Sequence, residues 1–247
     1  AKAAGGSAGS ASPATPGGRV FSDDALPWES LGAADADVKV SMGKLTLANG
    51  LVLTDVELPI NIVAGKLSLA SASFAVAGGT VSADATMDST NQSIVLKVST
   101  KDLTAESIAR ALQKTDLISE GPLDLNINVR GSGISSHAVM ASLNGAIVAG
   151  LGESKIRSDA LNVMGADVVM QMVSAINPMG NKDPYTVARC GVVNLHNVNG
   201  VASSNSGIAL ATDKMQLTSS GKIDFGGERV DLNLRPKATG GLGVRLG

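Results

Sequence analysis

Beyond residue 18 the apolar residues alternate with polar ones in short runs, the period at which a β-strand presents one row of side chains to each face. The clearest runs are Val81, Ala83, Ala85 and Met87; Ile94, Leu96 and Val98; Leu123, Leu125, Ile127 and Val129; and Val230, Leu232 and Leu234. Their alternates are mostly polar: Ser82, Asp84 and Thr86 in the first, Asp124, Asn126 and Asn128 in the third, Asp231 and Asn233 in the last. This pattern predicts half-buried strands of an antiparallel sheet, dry on one face and wet on the other.

The punctuation agrees. Asn49-Gly50 separates KLTLA from LVLTDVEL, and Asn-Gly between alternating runs predicts a tight hairpin, because both central residues of a type I′ turn need positive φ. Gly78-Gly79 and Gly226-Gly227 predict further hairpin turns, the last preceded by Ile223 and Phe225. The apolar phase slips between Leu67, Leu69 and Ala72, Phe74, Val76, as one extra residue in a bulge requires, and bulges curve a sheet.

Three segments change period. Thr104 to Gln113, with Glu106 in the first turn and Ile108, Ala111 and Leu112 on one side, predicts a helix. A weaker one spans Ser136 to Leu143. A third starts at Ser158 or Asp159, carries Leu161, Met164, Val168, Met172 and Ile176, and stops at Asn177-Pro178. The stretches from Gly65 and from Gly200 both read strand, strand, turn, strand, which divides the chain into two similar halves, about 37–135 and 136–247.

Composition adds three constraints. Residues 1–18 are almost entirely Ala, Gly, Ser, Pro and Thr, too poor in apolar surface to offset ordering, so they read as a flexible linker ahead of one β-rich domain at 19–247. The chain is 44% hydrophobic but 2% aromatic, so its core is aliphatic; 29 glycines imply many tight turns. A net charge of −2 with so few aromatics offers neither the basic stripe nor the stacking platforms of nucleic-acid binding.

One cysteine, Cys190, excludes an internal disulfide and a multi-thiolate metal site. No apolar run approaches the length of a membrane span. The sequence has no initiator Met, and is expected to be an interior piece of a longer protein whose membrane anchor lies elsewhere.

Candidate chemistry is sparse. GSGISS at 131–136 imitates a G-x-G-x-x-G loop, but Ser136 holds the third glycine position and the preceding strand alternates where a parallel strand would be apolar on both faces. His137 and His196 have no ligand spacing with other residues and read as surface or turn residues; Cys190 reads as a small apolar strand residue. Met164, Met170, Met172 and Met179 read as core. No Walker loop, nucleophile elbow or H-E-x-x-H is present, so no catalytic, cofactor-binding or metal-binding residue is nominated and a non-enzymatic role is expected. The alternating aliphatic faces carry the remaining question: core of a sandwich, or wall of an open trough.

The ordered series of segments resembles the AsmA family of Gram-negative envelope proteins. RVFSDDALPWESLGAADADVKVSMGKLTLANGLVLTDVELPINIVAGKLSLASASFAVAGGTVSADATM carries that family's F-S-D-x-x-L entry, L-x-A-x-D-A-D-V strand, and G-x-L-x-L and GG-x-V strands. The similarity continues through MASLNGAIVAGL, the Cys190 strand, NGVA and KIDFGGERVDLNLRPKA, covering about residues 19–240. The resemblance implies a periplasmic segment of an inner-membrane-anchored protein, related to bridge-like lipid transfer proteins: a strongly curved, U-shaped antiparallel β-groove with a few short helices, its wall lined by aliphatic side chains. It implies phospholipid as the occupant, envelope assembly proteins as partners, and membrane association through a segment outside this sequence. The lipid-facing candidates are the four runs above together with Ile223 and Phe225. The rival expectation is a scaffold module that closes the same sheet around its own core.

Overall fold

The computed structural model describes residues 19–48, 50–114, 117–157, 184–213 and 215–238. The linker at 1–18 and the third predicted helix, with its methionines, lie outside the described residues.

Among the described residues thirteen strands form one antiparallel sheet. They are β1 (Ala36–Thr46), β2 (Val52–Val63), β3 (Lys66–Val76), β4 (Gly79–Asp88), β5 (Ser93–Lys101), β6 (Ile118–Glu120), β7 (Leu123–Ser132), β8 (Asn144–Leu151), β9 (Ser154–Arg157), β10 (Tyr185–Val198), β11 (Val201–Thr212), β12 (Met215–Asp224) and β13 (Arg229–Ala238). The main path runs β1-β2-β3-β4-β5-β7-β8-β10-β11-β12-β13, a meander in which chain neighbours are ladder neighbours. Short β6 and β9 pair with each other, and β9 continues the β8 edge along the start of β10. In effect β6–β7 and β8–β9 are two strands broken at the same level, the first where Glu120 and Gly121 both turn to positive φ.

Local chemistry explains the turns. Ala64-Gly65, Ala77-Gly78 and Asn199-Gly200 are left-handed pairs, with φ of 49° and 75°, 51° and 84°, and 48° and 74°, the type I′ pattern that matches strand twist. The second pair corrects the sequence expectation by one residue: Gly79 opens β4, and Ala77 takes the strained first position. Gly226-Gly227 lies within the turn between β12 and β13, as expected. Gly65 and Gly200 each close such a turn and lead into a three-stranded meander, β3–β5 and β11–β13.

The predicted phase slip in β3 is a register shift between Leu69 and Ala72, with Ser71 at φ 60° donating its freed N–H to Asp84 Oδ1 at 2.7 Å. Further shifts fall in β2, β10 and β11, and each adds local bend and twist.

Among the described residues two α-helices are inserted. α1 (Ala105–Ala111) starts one residue later than predicted because extended Thr104 is its N-cap, accepting from Ser107 N–H, and it ends before Gln113, which sits at φ 59°. α2 (Ser136–Ala141) is capped in the same way by Ser135, which accepts from Ala138 N–H. Strand alternation puts α2 on one rim of the sheet, with the turns at 64–65, 89–92, 199–200 and 225–228, and α1 on the opposite rim.

Residues 19–35 run along the α2 rim as a strap. Val20 and Phe21 N–H donate to Glu228, Leu26 N–H to Ile134 O, Trp28 Nε1 to Gly133 O, and Asp35 accepts from Ala64 N–H.

Candidate functional site

The register brings the predicted apolar runs onto one face and makes them continuous. One row reads Val38, Ile60, Leu69, Ala85, Leu96, Val129, Gly145, Asn197, Ala202, Ile223 and Val230, each opposite the next across the ladder. Eleven strands at about 4.8 Å spacing give this row a length of roughly 48 Å. A parallel row holds Ala72, Ala83, Val98, Ile127, Ile147 and Leu195; another holds Leu125, Ala149, Val193, Ile208, Ser219 and Leu234. Val81 pairs with Phe74, Met87 with Ile94, Leu123 with Leu151, and Leu232 with Gly221 on the same side. None of these positions carries a charge.

Phe225 departs from the expectation. It lies in the turn after β12, half-buried, with its N–H on Gly200 O, so it stands at the rim rather than in the strand face.

Sequence reasoning stopped short of β1, β2, β8, β10 and β11, which extend the face with Val38, Ile60, Ile147, Leu195 and Leu210 among others. Their signal was present as alternation interrupted by bulges, and following the phase across each slip recovers them.

No second sheet covers this face among the described residues, since all thirteen strands belong to one ladder system. Most of its side chains are accordingly half-buried: Val81, Ala83, Met87, Ile94, Leu96, Val98, Leu125 and Ile127 all retain solvent exposure. Toward the two edges exposure rises, to 46% at Val38, 47% at Leu234 and 68% at Val230. The buried hydrophobic cluster around β2 and β3 is small, with Leu53, Val56 and Val76 meeting Leu103.

The helices roof the rims of the face. A Cβ on Gly79, which leads β4 into the apolar row, would lie 2.8 Å from the Leu103 Cα, so the segment entering α1 folds onto this side at one rim. A Cβ on Gly131, opposite Ile94 in the apolar register, would lie 2.5 Å from Val139 O, so α2 folds onto the same side at the other rim. Gly133 and Gly200 receive Ala138 and Ala141, and a Cβ on Gly226 would lie 2.9 Å from the Ala141 Cβ.

α2 therefore touches both β7 and the β12–β13 turn, four ladder steps away, which a flat sheet would hold roughly 19 Å apart. The second half is curled around the helix. The GSGISS run is thus a glycine seat followed by an N-cap, which accounts for its composition without a phosphate.

Buried polar side chains gather in the second half of the face: Asn197, Ser204 and Ser219 are buried, Ser204 Oγ lies 3.3 Å from Ser219 Oγ, and Asn197 Nδ2 reaches Gly145 O at 3.4 Å. On the opposite face Asp84 and Lys97 stand as a cross-strand pair beside Ser71, Ser73, Ser82 and Ser99, around a shallow recess of about 360 Å³.

His137 is a pin: Nε2 meets Gly226 O at 2.8 Å, and Nδ1 lies 3.1 Å from Arg19 and 3.2 Å from Asp23. Because Gly226 O only accepts, Nε2 carries a proton. His196 is exposed on β10, and Cys190 is exposed on the face opposite to the apolar one, flanked in β10 by in-facing Gly191. Among the described residues no three His, Cys, Asp or Glu side chains are grouped to hold a metal, and no helix is long and apolar enough to cross a membrane.

Comparison with known proteins points one way. A profile of the AsmA family matches residues 1–206. The AsmA family protein YhjG of Escherichia coli (strain K12) is 24% identical over 233 residues, which cover 91% of this chain and 32% of that protein. The chain thus spans about a third of the length of the curated relative it matches. No solved structure matches it.

Proposed function

Because the chain belongs to the AsmA family, we propose that its uncharged apolar face is the wall of a groove that holds or conducts phospholipid acyl chains. A role in envelope biogenesis follows at the level of the family. The finer reading is a periplasmic segment of an inner-membrane-anchored protein that acts without catalysis in outer-membrane biogenesis, with envelope assembly proteins as further partners.

The observation that carries this reading is the eleven-strand row, aliphatic over its first half and half-exposed along most of it. A single sheet with such a face is costly in water unless something apolar lies on it. An acyl chain supplies that cover and gains in turn, at about 0.8 kcal/mol per buried CH₂ or roughly 12 kcal/mol for sixteen carbons. Aliphatic walls make non-directional contacts, so chains slide along the rows without a fixed register. The lack of charge on the face keeps a phosphate headgroup out of the groove and at its mouth, between the two rims.

Native mass spectrometry of the purified chain tests the proposal. The expected result is a ladder of phospholipid adducts that an apolar dye displaces. A protein that is folded, free of adducts and indifferent to added phospholipid would overturn it in favour of an interaction module.

A further inference from the structure

We infer that α2 and the strap form a lateral gate at one rim of the groove, closed by a latch on the β12–β13 turn. The inference rests on the lipid-groove reading above and adds to it the place where an acyl chain enters.

α2 sits in an eleven-residue insertion, 133–143, between β7 and β8, and lies on the apolar side of the sheet. Its own strand β7 holds it, through Ser132 N–H to Ser142 Oγ and Ser142 Oγ to Ser132 O, both at 2.7 Å, while the strap joins its root through Leu26 N–H to Ile134 O at 2.8 Å. Its ties to the far side of the curl are of a different kind. His137 Nε2 meets Gly226 O, and the strap docked on α2 through Ser22 O is held to Glu228 by the N–H groups of Val20 at 2.9 Å and Phe21 at 3.0 Å.

All these latch groups belong to one turn, 225–228, in which Glu228 itself sits at φ 50°. Seated on glycines rather than on interlocking side chains, α2 contributes one buried side chain, Val139. The bonds to Glu228 are solvent-exposed, or partly so at Phe21, and such bonds open at small cost. Releasing them frees the strap from the β12–β13 turn, and release of the His137–Gly226 bond as well separates that turn from α2 while leaving every strand ladder intact. The opening lies beside Phe225, the one aromatic ring of the predicted lipid-facing set.

A reversible lock decides the matter. In a Cys190→Ser background, Val20→Cys and Glu228→Cys are joined by a short disulfide-containing bis-maleimide cross-linker, and loading is followed from vesicles of phosphatidylethanolamine and phosphatidylglycerol carrying a nitrobenzoxadiazole-labelled lipid. The gate predicts loading slowed about tenfold or more when locked and restored by reductant, with Trp28 emission unchanged as evidence of the fold. It also predicts faster loading in Glu228→Gln. Equal loading of locked and reduced protein overturns the gate alone. Failure of the unmodified chain to load at all overturns the groove reading and the gate with it.

Discussion

Trp28 donates its indole N–H to the carbonyl oxygen of Gly133 at 3.1 Å, across 105 residues of sequence. This bond ties the strap to the root of α2, and with 6% exposure the ring is the best-buried aromatic surface in that region. Trp28→Ala is expected to cost about 3–5 kcal/mol, the range for deleting a large buried ring. Trp28→Phe keeps most of the apolar contact and leaves Gly133 O unpaired, for about 1–2 kcal/mol. Urea titration followed by far-ultraviolet circular dichroism measures both. Equal midpoints for the two variants would show that the bond, not the ring, carries the stability.

Much of this fold was legible in side-chain alternation. Val81 to Met87 and Ile94 to Val98 do share a face, because a period of two leaves no choice once a short turn fixes the partner. What alternation does not encode is what lies across the face. A groove wall and a sandwich core have the same pattern; what the structure adds is that the described strands follow a single ladder path. The seat of α2 was hidden for a related reason: Gly131, Gly200 and Gly226 are far apart in sequence, and each looks locally like a turn or strand end. Phe225 misled because its phase continues from Ile223, although the chain has already turned.

Ala64 occupies the first left-handed position of the β2–β3 turn, at φ 49°, where a Cβ is unfavourable and Asn is tolerated far better. The residue is exposed, and its N–H already bonds Asp35 Oδ1. Ala64→Asn is therefore expected to raise stability by about 0.5–1 kcal/mol without disturbing a contact. Thermal melting checks this. A lowered melting temperature would mean that the turn is not of the I′ kind.

Acid should undo the latch. The backbone N–H of Phe21, then that of Val20, holds the Glu228 carboxyl below its ordinary value of 4.5, with His137 and Arg19 adding to the effect against burial. A carboxyl lowered in the folded state contributes stability above its ordinary value and loses it as pH falls through the folded one. The strap contact is accordingly expected to be intact at neutral pH and to weaken below about pH 4.5. Trp28 emission should report this step, and Glu228→Gln should flatten it. Glu57, lowered through Lys39 and then Ser41 on the opposite face, adds to the overall acid sensitivity but lies far in sequence from the strap. An unchanged acid profile in Glu228→Gln would remove Glu228 as the cause.

A charge placed in the groove separates wall from core. Ile127 and Leu125 face Ile147 and Ala149 across the ladder, are half-buried, and have no described layer above them. An Asp at either site can turn its carboxylate toward water, so the expected loss is about 1–2 kcal/mol with the sheet intact. Val56, 2% exposed within the cluster around Leu103, offers the contrast: Val56→Asp buries an unpaired carboxylate and should cost several kcal/mol or unfold the chain. If the face is a groove wall, Ile127→Asp keeps its circular dichroism spectrum and loses its phospholipid adducts, because the carboxylate now stands where acyl chains run. A closed core predicts instead that Ile127→Asp and Val56→Asp collapse alike. The pair of variants thus tests the function through a difference in folding, and the result does not depend on knowing which lipid the groove prefers.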